Sequence, residues 1–187
     1  MVYIVKKVFG TGFLIYLQVL LLCPANHQVA AEECRKTLTV LVSTQNVDIN
    51  AVKGGHLWKH IGGITARPPM ANEGDTQLNQ PLFYSWDGVH TGWDAFEYVW
   101  NTFVKLNIKT AQCAVNKIND QTAVDCINAD RINAHYTPNG FYCTHVNKDK
   151  ICTYGHSFTI KSYLFVYKVV NKEWIMLTAI PQVSTCH

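Results

Sequence analysis

Charge is scarce in this 187-residue chain: Asp, Glu, Lys and Arg make up 16% of it, and the formal charge at pH 7 is only +3. Two of the lysines, Lys6 and Lys7, stand at the extreme N-terminus. Beyond Ala31 the chain carries 14 basic and 13 acidic side chains, a balance of +1. That balance excludes a histone-like polycation, so any nucleic-acid contact has to come from a local basic site rather than bulk charge. Close C-x-x-C spacing is absent, which excludes a zinc ribbon. There is no Asn-x-Ser/Thr sequon and no internal repeat. No apolar run after Leu22 is long enough to span a membrane. Disorder is excluded by what is plentiful: hydrophobic residues are 48% of the chain and aromatic residues 12%. That is enough apolar surface for a core.

The N-terminus reads as an export signal. Met1 to Lys7 forms a positive n-region and Val8 to Leu22 an apolar core, broken only by Thr11 and Gln18. Val29-Ala30-Ala31 supplies the small residues that signal peptidase requires. Residues 1–31 are therefore expected to leave, and 32–187 to form a single secreted, extracellular domain with no membrane contact.

Of seven cysteines, Cys23 leaves with the signal. Cys34, Cys113, Cys126, Cys143, Cys152 and Cys186 remain. An even number in an exported chain implies up to three disulfides, in any of 15 connectivities. The preferred pairing is Cys34 with Cys186, Cys113 with Cys126, and Cys143 with Cys152. The last closes a short hairpin and the first ties the chain ends.

Patterning predicts helices first and strands last. Residues 37–43 are β-branched and alternating and read as a strand, and His56 to Ile61 as a short helix between Gly54-Gly55 and Gly62-Gly63. Thr65 to Pro81 reads as a proline-containing loop. Trp93, Phe96, Trp100, Phe103 and Val104 recur on one helical face, with Thr91 as cap. Residues 111–134 read as helix with a break. Phe141–Cys143, Ile151–Thr153, Phe158–Val170 and Trp174–Ile180 read as antiparallel strands, with turns at 147–149 and 171–172. The expected class is therefore α+β, with N-terminal helices packed on a C-terminal antiparallel sheet.

The densest chemistry is Gly54-Gly55-His56-Leu57-Trp58-Lys59-His60. Histidines four apart on a helix could share a zinc ion. A zinc protease, however, needs Glu directly after the first histidine, where Leu57 stands. No third ligand is marked either, so neither metal nor cofactor is expected. An imidazole with a pKa of about 6.5 exchanges protons at neutral pH, and Lys59 and Arg67 are cations suited to phosphate. Such a set suits transesterification of RNA: one group takes the 2′-OH proton, another protonates the leaving 5′ oxygen, and a cation holds the charge on phosphorus.

Three segments in one order, Gly54-Gly55-His56…His60-Ile61-Gly62, Leu82-Phe83-Tyr84-Ser85, and Trp174-Ile175-Met176-Leu177-Thr178-Ala179-Ile180-Pro181, carry a resemblance. Over about residues 54–181 the chain resembles the RNase A-like toxin domain of bacterial contact-dependent growth inhibition proteins. The resemblance implies an RNase A-like fold and a secreted, metal-independent ribonuclease, a toxin or effector. It places the family's catalytic histidine on His56, its arginine on Arg67 and the threonine of its last strand on Thr178. Ile180 stands where the family carries a tyrosine. Lys59, His60 and His156 are expected to assist with substrate, and His135 and His145 are further candidates for a second imidazole. The implied partners are single-stranded RNA and an inhibitor or immunity protein, with the chain itself a monomer. The alternative is a secreted protein that kept the scaffold without the chemistry and binds another protein or glycan.

Overall fold

The computed structural model describes residues 31–84, 90–132 and 139–187. The expected export segment up to Ala30, Ser85 and His135 lie outside the described residues. The fold is α+β, with helices in the N-terminal half and antiparallel sheets dominating the C-terminal half.

A two-residue strand β1 (Glu32–Glu33) leads into α1 (Leu38–Ser43) and α2 (Val47–Val52), then a 3-10 turn, Leu57–His60. Strand β2 (Pro81–Phe83) precedes the long α3 (Gly92–Lys105). Strand β3 (Gln112–Cys113), β4 (Thr122–Asn128) and a single-turn α4 (Ala129–Ile132) follow. The chain ends in β5 (Asn139–Val146), β6 (Cys152–Thr159), β7 (Ser162–Val170) and β8 (Glu173–Gln182). The sheets are ordered β1-β3, β2-β5-β6 and β4-β7-β8, and every strand pair in them is antiparallel. No helix among the described residues is long and apolar enough to cross a membrane.

The core lies between α3 and the inner face of β7. The helix begins as its sequence dictates, with a capping box in which Thr91 Oγ1 accepts from Asp94 N–H and Asp94 accepts from Thr91 N–H. Its Phe96, Val99, Trp100 and Phe103 are buried against Tyr163, Phe165, Tyr167 and Val169, the alternate residues of β7. Phe103 stacks on Phe165 at 4.7 Å, and Phe83 stacks on Tyr163 at 5.8 Å, so β2 joins the same core. Each such ring is worth about 1.5–3 kcal/mol of burial. The last turn of α3 leaves carbonyls without helical partners. Buried Arg35 closes that end, its guanidinium donating to the carbonyls of Phe103 and, at 2.6 Å, Leu106.

Of residues 37–43, expected as a strand, Leu38–Ser43 form α1 instead, with Thr37 at its N-terminal boundary. Local β preference yields to packing. Val40 and Ser43, three apart, are buried, and Leu38 is left exposed. The helix stands along the open edge of β8, where Ser43 Oγ accepts from Met176 N–H at 2.9 Å. A helix thus covers an edge that would otherwise invite another strand. Residues 111–134, expected as helix, hold β3, β4 and α4. Strand β4 alternates, with Asp125 and Ile127 buried and Val124 and Cys126 exposed, and pairs with β7 along its whole length. The expected single strand Phe158–Val170 is two, broken at Ile160 and Lys161.

The disulfides correct two of the three preferred pairings. Cys34 bonds Cys113, Cys126 bonds Cys186, and only Cys143–Cys152 is as expected. Strand β1 pairs with β3, which brings Cys34 onto Cys113. After β8 the tail passes β7, where Ser162 Oγ donates to the Ser184 carbonyl, and reaches the end of β4, where Cys186 N–H meets Asn128 Oδ1. Cys34 and Cys186 are therefore tied to β3 and β4 rather than to each other.

Candidate functional site

The outer face of the β4-β7-β8 sheet is opposite the core and carries the alternate residues of β7, among them Val166, Lys168 and Val170. Along β8 the ladder to β7 slips: Thr178 faces Val166 and Met176 faces Tyr167, so Leu177 is an extra, bulged residue. Bulges of this kind re-aim side chains and release ladder groups. Here the Leu177 carbonyl accepts the N–H of His56 at 2.8 Å, which sets residue 56 against the edge of β8 beside Thr178.

Two glycines and an asparagine make that approach possible. Gly54 has a positive φ of +90°, and a Cβ there would stand 3.2 Å from Val170 Cγ1. Only glycine adopts that backbone without strain. The segment therefore reaches across to the β7 residue two along from Lys168. A Cβ on Gly55 would lie 2.4 Å from Asn50 Oδ1. Asn50 is fully buried on α2. Its amide donates to Ser43 O at 3.1 Å and Met176 O at 2.7 Å, while its Oδ1 accepts from Leu57 N–H at 2.8 Å. This clamp joins α1, β8 and the His56 turn.

His56 itself is half-buried. Its pKa is lowered, chiefly by burial and then by the positive charges of Lys59 and Lys168, with Asp75 opposing. The ring is accordingly neutral at pH 7 and suited to accept a proton. Lys59 is ion-paired to Asp75 at 3.2 Å, and the other Asp75 oxygen is buried with no hydrogen-bond partner. Thr178 is 4% exposed, and its Oγ1 likewise has no partner. A buried hydroxyl left unpaired costs stability, and this one stands next to the imidazole segment.

Arg67 is engaged elsewhere. Its guanidinium donates to Ala71 O at 2.8 Å and to Asn72 O, and lies 5.8 Å from the centre of the Trp58 ring. It braces its own loop. His60 is 3% exposed with Nδ1 2.8 Å from the Pro81 carbonyl, and burial above all lowers its pKa to about 4. Its Nδ1 is taken up by that carbonyl.

His156 is exposed on β6, in the other three-stranded sheet, opposite Tyr142 with ring centres 5.4 Å apart. His145 is exposed on β5, 3.0 Å from Thr144 Oγ1. Ile180 shares the Thr178 face of β8, opposite Leu164. The structure thus brings together His56, Thr178, Lys59 and Lys168, and does not join Arg67 to them by any described hydrogen bond.

The chain matches no protein-family model, no curated protein and no solved structure.

Whatever the site does must therefore be argued from its own groups. Among the described residues no cluster of three or more His, Cys, Asp or Glu side chains is placed to hold a metal ion. Sequence reasoning missed Asn50 and Lys168. The signal for Lys168 was present: it interrupts the even-numbered series Leu164, Val166, Val170 in an otherwise apolar strand. Asn50 gave none, because a buried clamp is defined by partners 7 and 126 residues away.

Proposed function

We propose that this protein is a secreted, metal-independent ribonuclease of RNase A-like type that cleaves single-stranded RNA by attack of the ribose 2′-OH, acting as a toxin or effector. The observation that carries the reading is the neutral His56 imidazole seated beside the buried, unpartnered Thr178 hydroxyl on edge strand β8. His56 takes the 2′-OH proton as the 2′ oxygen bonds phosphorus and the P–O5′ bond breaks. The departing 5′ oxygen takes a proton from water, and His56 returns its proton to solvent, leaving a 2′,3′-cyclic phosphate. Thr178 Oγ1 donates to a non-bridging oxygen, which also resolves its missing hydrogen bond. The three disulfides support an oxidising, extracellular location. Single-stranded substrate follows from the need for a backbone that can reach in-line geometry.

Two observations favour a second reading, a secreted binding protein on the same scaffold: Arg67 is spent on its own loop, and Ile180 offers no proton. RNA cleavage by the purified, oxidised chain in EDTA separates the two. The expected result is cyclic-phosphate ends, activity that survives chelation, and a loss of at least about 100-fold in His56→Ala. Thr178→Val should cost about tenfold in activity yet leave stability unchanged or slightly higher, since it removes an unpaired buried hydroxyl. Absence of cleavage by folded wild-type chain would give the binding reading its place.

A further inference from the structure

With Arg67 committed to the carbonyls of residues 71 and 72, the cation that phosphoryl chemistry requires has to come from another residue. The strand register supplies one. Val166 stands opposite Thr178 on the outer face, and Lys168 is the next residue of β7 on that face. Gly54 packs against Val170, one further position along, so the Gly54–His56 segment and Lys168 border the same patch of sheet. On the β4 side Lys168 is opposite Thr122, and Val166 is opposite the half-exposed Val124, so the patch is open to solvent there.

We infer that the phosphate-binding cation of this site is Lys168, and that Lys168 Nζ and Thr178 Oγ1 together form the subsite for the scissile phosphodiester on the outer face of β7 and β8. This assignment rests on the ribonuclease reading for its substrate, but the subsite itself is defined by affinity for phosphate. Lys168 is held at present by Asp120 at 2.7 Å, and that carboxylate is 82% exposed. An ion pair so open to water contributes little and gives way readily to a phosphate oxygen. Lys59, by contrast, is tied to a carboxylate only 15% exposed, so it is the less available of the two lysines near His56.

The test follows the His56 imidazole by NMR as pH is varied, with and without inorganic phosphate, beside RNA cleavage. The charged and titratable groups facing His56 are Lys59, Asp75, Lys168 and His60, and only Lys168 is changed in the decisive variant. Phosphate should raise the His56 midpoint in wild type. In Lys168→Met the midpoint without phosphate should rise, the phosphate response should disappear, and RNA cleavage should fall about 100-fold. Lys168→Arg should restore part of both. Residue 120 sits in the left-handed region that asparagine tolerates as well as aspartate. Asp120→Asn should therefore keep the backbone and tighten phosphate binding by up to about fivefold. Arg67→Met should lower the thermal midpoint and leave the phosphate response intact.

A phosphate response that survives Lys168→Met, or that vanishes in folded Arg67→Met, would overturn the assignment. So would the lack of any response in wild type. A Lys168-dependent phosphate response in a wild-type chain that does not cut RNA would uphold the subsite and remove the ribonuclease reading instead.

Discussion

His56 and His60 lie one helical turn apart in sequence, but their rings meet opposite fates. The backbone N–H of His56 is held by a bulged strand, and its ring is left half-buried beside two lysines. The ring of His60 is sealed in and bound to a carbonyl. Burial lowers the folded pKa of His60 to about 4 from the 6.5 of an unburied ring, and in the unfolded chain it titrates at about that ordinary value. The unfolded state therefore binds the extra proton first as pH falls. Stability is complete above about pH 6.5 and is lost between there and about pH 4, by about 3 kcal/mol from this one ring. His56, also lowered, adds in the same direction. Asp125, raised chiefly by burial above its ordinary value of 3.8, works the other way, over a window that begins at that value and extends upward. Urea unfolding at neutral pH and at two steps down to the folded His60 midpoint should show this fall in wild type and a much flatter profile in His60→Asn. An equally steep fall in the variant would place the acid sensitivity elsewhere.

At the scale of elements, the readable parts were those whose partners lie within the element itself. Helix α3 announces itself because cap, capping box and apolar stripe are all local. The strands β5 to β8 are rich in aromatic and β-branched residues, with turns at 147–149 and 171–172, so the β5–β6 and β7–β8 pairings follow. Helix α1 and strand β4 were read the wrong way round because their conformations are imposed from outside, α1 by the edge of β8 and β4 by pairing with β7. The same distinction applies to the site. His56 was legible from its motif, whereas the clamp that aims it was not. Asn50 makes three buried hydrogen bonds to three different elements. Asn50→Ala leaves those partners unpaired and should cost about 3 kcal/mol. Because Leu57 N–H is one of them, the His56 turn should shift as well. Activity per folded molecule should then fall at least tenfold, which urea unfolding and an RNA assay on the same sample would measure. Loss of stability with full activity per folded molecule would show that the Leu177 bond alone positions His56.

At the scale of the whole molecule, the three disulfides divide between the site and its surroundings. Cys34–Cys113 spans 79 residues and fastens the chain just before α1, the helix that flanks β8 and receives the Asn50 clamp. Cys126–Cys186 spans 60 residues and ties the tail to β4. Cys143–Cys152 spans 9 residues and closes the β5–β6 hairpin, in the sheet that does not carry His56 or Thr178. Loop-closure entropy makes the first two worth about 4–5 kcal/mol each and the third about 3 kcal/mol. Stability alone therefore separates the long loops from the short one but hardly separates the two long ones. Activity should separate them further. Replacing Cys34 and Cys113 by alanine should lower both urea stability and RNA cleavage per folded molecule, since α1 loses its anchor. Replacing Cys143 and Cys152 should lower stability by the smaller amount and leave cleavage per folded molecule near wild type. If the hairpin variant lost cleavage as fully as the Cys34–Cys113 variant, the β2-β5-β6 sheet with His156 would belong to the working site, and the outer face of β7 and β8 could no longer be its whole extent.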